Sequence, residues 1–186
     1  MEHKTESIKI HNRSFRPMIS AEEIASAVER VAARINEDYR DCEQSPLVMG
    51  VLNGSFIFMA DLVRQLDVRC ELIFVKMSSY SGLSTTGKVR TMIGLNQDIT
   101  GRDVIVVEDI VDTGVSIAHV MNMLRSMGAG SVRVCTLFFK PDSYRADEHI
   151  DYKAMEIGSE FIVGYGLDYD GLGRELGGIY VVEEEA

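Results

Sequence analysis

The chain has 186 residues, of which 46% are apolar, which is enough for one good core and short of two domains. Its formal charge is −10, with no block of Lys or Arg, and this argues against a protein that tracks a nucleic-acid backbone by charge. No apolar run approaches the roughly 20 residues that cross a bilayer, and no apolar signal core follows Met1–Glu6, so neither membrane nor export is indicated and a cytoplasmic protein is expected. Cys42, Cys70 and Cys135 are odd in number and widely spaced, and His3, His11, His119 and His149 are equally scattered. Neither set has disulfide or zinc spacing, and the thiols are expected to be inert.

In chain order, Ser20 with Glu23 three residues on is a capping box, and Ile24, Val28, Val31 and Ile35 recur at helical spacing. A first helix over 21–40 follows. After Ser45-Pro46 the apolar run Leu47–Leu52 reads as a buried strand, ended by Asn53-Gly54, with a helix over Phe56–Leu66 behind it. Glu71–Val75 is a strand, and Ser78–Gly87, rich in Ser, Thr and Gly, is expected as a loop. Within it, Gly82 to Lys88 has the outline of a nucleotide P-loop, but Val89 stands where Ser or Thr must bind magnesium.

Asp103–Val107 is a second buried strand. Val115, Ile117, Val120, Met121 and Leu124 mark a helix closing at Gly128-Ala129-Gly130, and Val132–Phe139 is the next strand. Phe161–Tyr165 and Ile179–Val182 are short strands around a Gly-rich link, whose Gly171-Leu172-Gly173 falls short of a dinucleotide loop because position 176 is Leu. The alternation implies an α/β fold with a mainly parallel sheet flanked by helices, and ligands beyond the carboxyl ends of the strands. One domain over 1–186 is expected, with its core over about 35–145 and a small hood from the N-terminal segment and about 150–186.

The segment Val104 to Ser116 is the most informative. Adjacent acids Glu108 and Asp109 end a buried strand, Asp112 lies three residues on, and Thr113-Gly114-Val115-Ser116 opens a helix. Backbone N–H groups at that helix start, with two hydroxyls and a glycine that permits close approach, form a nest for a phosphate monoester. Glu108 and Asp109 then sit where ribose hydroxyls would lie. One acid at a strand end would merely cap a helix; three acids beside a phosphate nest repel unless a cation or sugar hydroxyls intervene.

This segment resembles the signature of the type I phosphoribosyltransferases, and in detail that of the hypoxanthine-guanine phosphoribosyltransferases. Leu52-Asn53-Gly54-Ser55 is similar to that family's pyrophosphate loop, Ser78-Ser79-Tyr80 with Ser84-Thr85-Thr86 to its lid, and Lys140-Pro141 to its base-recognition lysine. Phe161, Ile162 and the residues through Asp168-Tyr169 resemble its purine-stacking and metal segment, with Arg174 at the place of a pyrophosphate-binding arginine. Lys140 and Phe161 taken alone would read as a solvated strand-end lysine and a core aromatic. Asn53 stands where many relatives carry Lys or Arg, which implies that pyrophosphate is held more by backbone amides, metal and Arg174. The resemblance implies a non-proline cis bond at Leu52-Asn53.

The implied activity is purine salvage: transfer of 5-phosphoribosyl from 5-phosphoribosyl 1-diphosphate to N9 of hypoxanthine or guanine, giving IMP or GMP and pyrophosphate, with Mg2+ as cofactor. Asp112 is then the general base or hydrogen-bond acceptor for purine N7, Lys140 the donor to O6, and Glu108, Asp109 and Asp168 the metal-linked carboxylates. A homo-oligomer, dimer or tetramer, is implied by the resemblance. The alternatives are a non-catalytic regulator on the same scaffold, or an enzyme preferring xanthine or a pyrimidine.

Overall fold

A computed structural model of the protein describes residues 6–78, 90–93 and 97–183. In chain order its elements are β1 (Ile8–Ile10), β2 (Arg13–Ile19), α1 (Ala21–Tyr39), β3 (Leu47–Leu52), α2 (Phe56–Val63), β4 (Glu71–Ser78), β5 (Arg90–Ile93), β6 (Asp103–Val111), α3 (Val115–Ser126), β7 (Ser131–Phe139), β8 (Tyr152–Glu156), β9 (Ile162–Val163) and β10 (Ile179–Val182). The expected lid residues Ser79 and Tyr80, together with Ser84–Thr86 and the whole P-loop outline, lie outside the described residues.

The capping box closes as the spacing predicts: Glu23 N–H donates to Ser20 Oγ at 3.2 Å and Ser20 N–H donates to Glu23 Oε2 at 2.8 Å. From there Ile24, Val28, Val31 and Ile35 line one buried stripe of α1. Strand β3 has the expected bounds. Helix α2 ends at Val63 rather than Leu66, because Gln65 and Leu66 N–H turn to the carbonyls of Leu62 and Val63 in a tighter, three-residue spacing.

Six strands form one sheet in the order β5-β4-β3-β6-β7-β8, with β4, β3, β6, β7 and β8 parallel and β5 antiparallel at one edge. Alternate residues of β6 serve opposite faces: Ile105 and Val107 join the core under α1 and α2, while Val104 and Val106 join the core under α3. Both faces are therefore buried, as the unbroken apolar run requires. A second sheet, β1-β2-β10-β9, packs Ile10, Phe15, Val163 and Tyr180 into a small core of its own.

Four strands carry little apolar patterning and escape the sequence reading. In β2 only Phe15 and Ile19 are buried, with Arg13 and Ser14 exposed before them and Arg16 and Pro17 exposed between them. In β8 only Tyr152 is fully buried, because the strand is a sheet edge. Edge strand β8 belongs to the large sheet, and strands β1 and β5 are too short to show a period. Cys135 is buried and Cys70 half-buried, but Cys42 is exposed, so position alone does not shield that thiol. Among the described residues no helix is long and apolar enough to cross a membrane.

Candidate functional site

The strand order reverses between β3 and β6: from β3 the chain builds outward through β4, and from β6 through β7 and β8. Ligands in open α/β sheets sit at such a switch point, beyond the carboxyl ends. There β3 stops pairing with β6 at Gly50 and Val107, while β7 stays paired with β6 as far as Val111 and Phe139. Glu108 and Asp109 thus lie within β6, where one neighbour has peeled away and the other has not. The expected strand end at Val107 is corrected to Val111 for this reason.

The gap so opened is a cleft of about 280 Å³ lined by Leu52, Asn53 and Gly54 on one side and by Glu108, Asp109, Ser116, Asp168 and Arg174 on the other. A smaller hollow of about 110 Å³ continues from it along Asp112–Ile117 and shares Glu108 and Ser116. A larger groove of about 730 Å³ lies at the amino ends of β3 and β4, around Arg40, Pro46 and Arg69. It is at the wrong end of the sheet for a ligand of this fold and holds none of the motif residues.

The Leu52-Asn53 peptide is cis. Gly54 follows, and a Cβ there would stand 1.5 Å from Asp109 Oδ2, so only glycine lets the loop lie against that carboxylate. The backbone of Gly166 in turn lies on the Gly54 carbonyl, where a Cβ would come within 2.1 Å. The Ser55 side chain is buried and its hydroxyl donates to the Val51 carbonyl at 2.6 Å, leaving the main chain alone for a ligand.

Burial pushes the Glu108 carboxyl well above the usual carboxylate range, and the neighbouring Asp109 charge adds to it. Asp109 is raised too, chiefly by burial, while the Ile110 N–H, 3.0 Å from its Oδ1, and the nearby Arg174 pull the other way. Two adjacent acids, both with raised proton affinity, call for hydroxyl donors or a cation. Among the described residues no three His, Cys, Asp or Glu side chains cluster to hold an ion by themselves. A divalent ion here would complete its shell with ligand oxygens, the habit of Mg2+ at phosphate sites.

Helix α3 opens on Gly114 in the left-handed region, φ 86°, with no side-chain cap and no acid in its first turn. Its free-end N–H groups face the smaller hollow, and Thr113, Val115 and Ser116 are exposed there. Lys140, after β7, is 6% exposed, and its Nζ donates to Asp112 Oδ2 at 3.2 Å and to the carbonyls of Ser159 and Glu160 at 3.4 and 3.0 Å. These bonds bring the turn into α3, the lysine and the start of the Phe161 segment together.

Phe161 is 43% exposed, with its ring 6.3 Å from Phe15 and 5.8 Å from Tyr169, so one face is braced and the other open. Ile162 packs its side chain into the main core and can offer a ligand only its main chain. Asp168 is engaged on both oxygens, by Arg174 at 2.5 Å and by Gly171 N–H at 2.7 Å, while Arg174 also donates to Gly166 O at 2.6 Å. The sequence reading missed what supports these residues: Tyr165, whose hydroxyl donates to Asp61 on α2 at 2.5 Å, and Tyr144, which lies on Gly114. Tyr165 falls inside a recognised segment; Tyr144 carries no local signal.

A doubly covered parallel sheet, a glycine loop facing an acid pair and an uncapped helix start describe a sugar-phosphate transferase, and the phosphoribosyl transferase domain family matches residues 19–170. The chain belongs to the phosphoribosyltransferases, in the branch of the hypoxanthine-guanine phosphoribosyltransferases. The relatives on which that branch rests include the Streptococcus pneumoniae hypoxanthine-guanine phosphoribosyltransferase, 38% identical over 90% of this chain and 93% of its own, and the Salmonella typhimurium hypoxanthine phosphoribosyltransferase, 40% identical over 82% and 86%. Among solved structures, the Trypanosoma cruzi hypoxanthine phosphoribosyltransferase in complex with its product IMP superposes with a TM-score of 0.85 at 35% identity, covering 95% of this chain and 97% of that one.

Proposed function

We propose that the protein transfers the 5-phosphoribosyl group of 5-phosphoribosyl 1-diphosphate to N9 of hypoxanthine or guanine, releasing pyrophosphate, in purine salvage. The observation that carries this reading is the junction at Glu108 and Ser116, where the pyrophosphate-sized cleft and the phosphate-sized hollow meet. A ribose bridging them would set its 5'-phosphate on the α3 turn, its hydroxyls on Glu108 and Asp109, and C1 towards Gly54.

Each group then has one task. The N–H groups of 113–116 bind the 5'-phosphate. The main chain of 52–55, with Arg174, receives pyrophosphate. Glu108 and Asp109 would hold Mg2+ together with oxygens of the ribose and pyrophosphate, Asp168 would anchor a second ion through water or directly, and the metal would supply Lewis-acid stabilisation of the leaving group. Phe161 stacks on the purine, Lys140 donates to O6, and Asp112 accepts the proton at N7 as C1 becomes cation-like. Adenine presents a donating amino group where Lys140 needs an acceptor, so 6-oxopurines are selected. The reading includes a homo-oligomeric assembly.

The test is to incubate the protein with 5-phosphoribosyl 1-diphosphate, Mg2+ and, in turn, hypoxanthine, guanine, xanthine, adenine and uracil, following nucleotide and pyrophosphate. Turnover with hypoxanthine or guanine is expected. Turnover confined to xanthine or uracil, or none at all, overturns the reading.

A further inference from the structure

The phosphate turn poses a physical question that its own sequence does not answer. A helix start that presents N–H groups to an anion must hold them still, since misplacements well under 1 Å cost binding and rate. Yet the turn has no side-chain cap, its Gly114 sits in a conformation of weak intrinsic preference, and its Thr113, Val115 and Ser116 side chains point outward. What holds it comes from 140–148, a strap without regular secondary structure.

The strap is tied at both ends of α3. At its start, Lys140 N–H donates to Val111 O at 3.0 Å, and the N–H groups of Ser143 and Tyr144 fold back on Lys140 O at 3.2 and 3.1 Å. In the middle, Arg145 N–H donates to Thr113 O at 3.1 Å. At its end, Arg125, in the last turn of α3, grips Glu148 with two bonds of 2.7 and 2.8 Å. That bidentate pair is the strong form of an ion pair, and it pulls the Glu148 carboxyl below its usual range.

Tyr144 lies between these ties. Its ring covers Gly114 so closely that a Cβ there would stand 2.5 Å from Tyr144 Cε2 and 2.7 Å from Ala146 Cβ. The Phe139 ring supports it edge-on at 5.2 Å, and its hydroxyl donates to Glu148 O at 2.6 Å. The turn is thereby clamped on the side away from the hollow.

We propose that Tyr144 is a positioning residue for the phosphate turn: its ring, laid on Gly114 and braced by Phe139 and the strap, holds the N–H groups of 113–116 in phosphate-binding register. This rests on the reading of the α3 turn as the 5'-phosphate site. The ring carries the effect and the hydroxyl only trims it, because the contact with Gly114 is made by ring carbons.

The test compares the wild type with Tyr144→Ala and Tyr144→Phe, using calorimetric titration of ribose 5-phosphate and, separately, of inorganic pyrophosphate with Mg2+, and thermal melting of each protein. Pyrophosphate is the control because its cleft is lined by no residue of the strap and meets the turn only at Ser116. Tyr144→Ala should weaken ribose 5-phosphate by about tenfold, the scale of one misaligned charge-assisted hydrogen bond, with pyrophosphate affinity held. Tyr144→Phe should stay within about threefold, as for one neutral hydrogen bond. Equal weakening of both ligands makes Tyr144 a general scaffold residue and overturns the proposal, as does unchanged ribose 5-phosphate affinity in Tyr144→Ala. If the wild type binds pyrophosphate but not ribose 5-phosphate, the assignment of the turn itself falls, and the proposal with it.

Discussion

At the carboxyl ends of β3 and β6, a buried Glu108 and a half-buried Asp109 lie side by side with raised proton affinities, whereas in the small second sheet and the link beside it each polar side chain of the site has a protein partner. Asp168 is held by Arg174 and Gly171, Arg174 by Gly166, and Tyr169 donates to Asn12 at 2.9 Å. The sheet end is built at a cost to the fold and the hood is built to be stable. Unmet electrostatic demand concentrates where ligands are bound, so the sheet end is the part a substrate must complete. The hood instead presents a braced aromatic face that needs no completion.

Substitutions separate the two walls. Asp112→Asn, next to the sheet end, should lower kcat by on the order of 10² or more, as for other general acid-base groups, without changing ribose 5-phosphate affinity. A kcat within a few-fold of wild type removes Asp112 from the role of base. Phe15→Ala empties the hood core; Phe15 is fully buried, so a loss of about 3–5 kcal/mol in stability is expected, with a raised KM for the purine as Phe161 loses its brace. Should chemical denaturation show a loss below 1 kcal/mol, the hood is not packed through Phe15.

Lys140→Met touches the seam between the walls. It should cut kcat/KM for hypoxanthine by about 10- to 150-fold, the worth of one charge-assisted hydrogen bond, and that for adenine far less. Parallel losses for the two bases would make Lys140 a holder of Asp112 and of the 159–160 carbonyls rather than a reader of O6.

Glu108→Gln gives the smallest and most pointed effect. A carboxyl raised in the folded state binds more protons there than in the unfolded chain, so it favours folding below the unfolded value, near 4.5, and that contribution is lost as pH rises through the raised folded value. Gln removes this loss. In metal-free protein the melting temperature of Glu108→Gln should exceed that of the wild type by a few degrees at neutral pH, with the two converging near pH 4. Melting curves that run parallel across this range would show that Glu108 carries no such burden.

Much of this was legible because it is local. The α1 start follows from Ser20 and Glu23, β3 from an unbroken apolar run over 47–52, and the turn into α3 from acids, hydroxyls and a glycine within nine positions, 108–116. Capping and periodicity depend on neighbours a few residues away, which one sequence displays in full. Resemblance added Lys140, Phe161 and Arg174, which have no local signature strong enough to stand alone.

Only the tertiary structure decided the rest. That β6 outruns β3 and opens the cleft, that the Ser55 hydroxyl turns inward, that β8 is an edge of the large sheet, and that Tyr144 lies on Gly114 all depend on which distant residues meet. A strand's period says that one face is buried but not beside which strand, and a lone tyrosine in a strap is indistinguishable from any other until packing sets it on a glycine thirty positions before it in the chain.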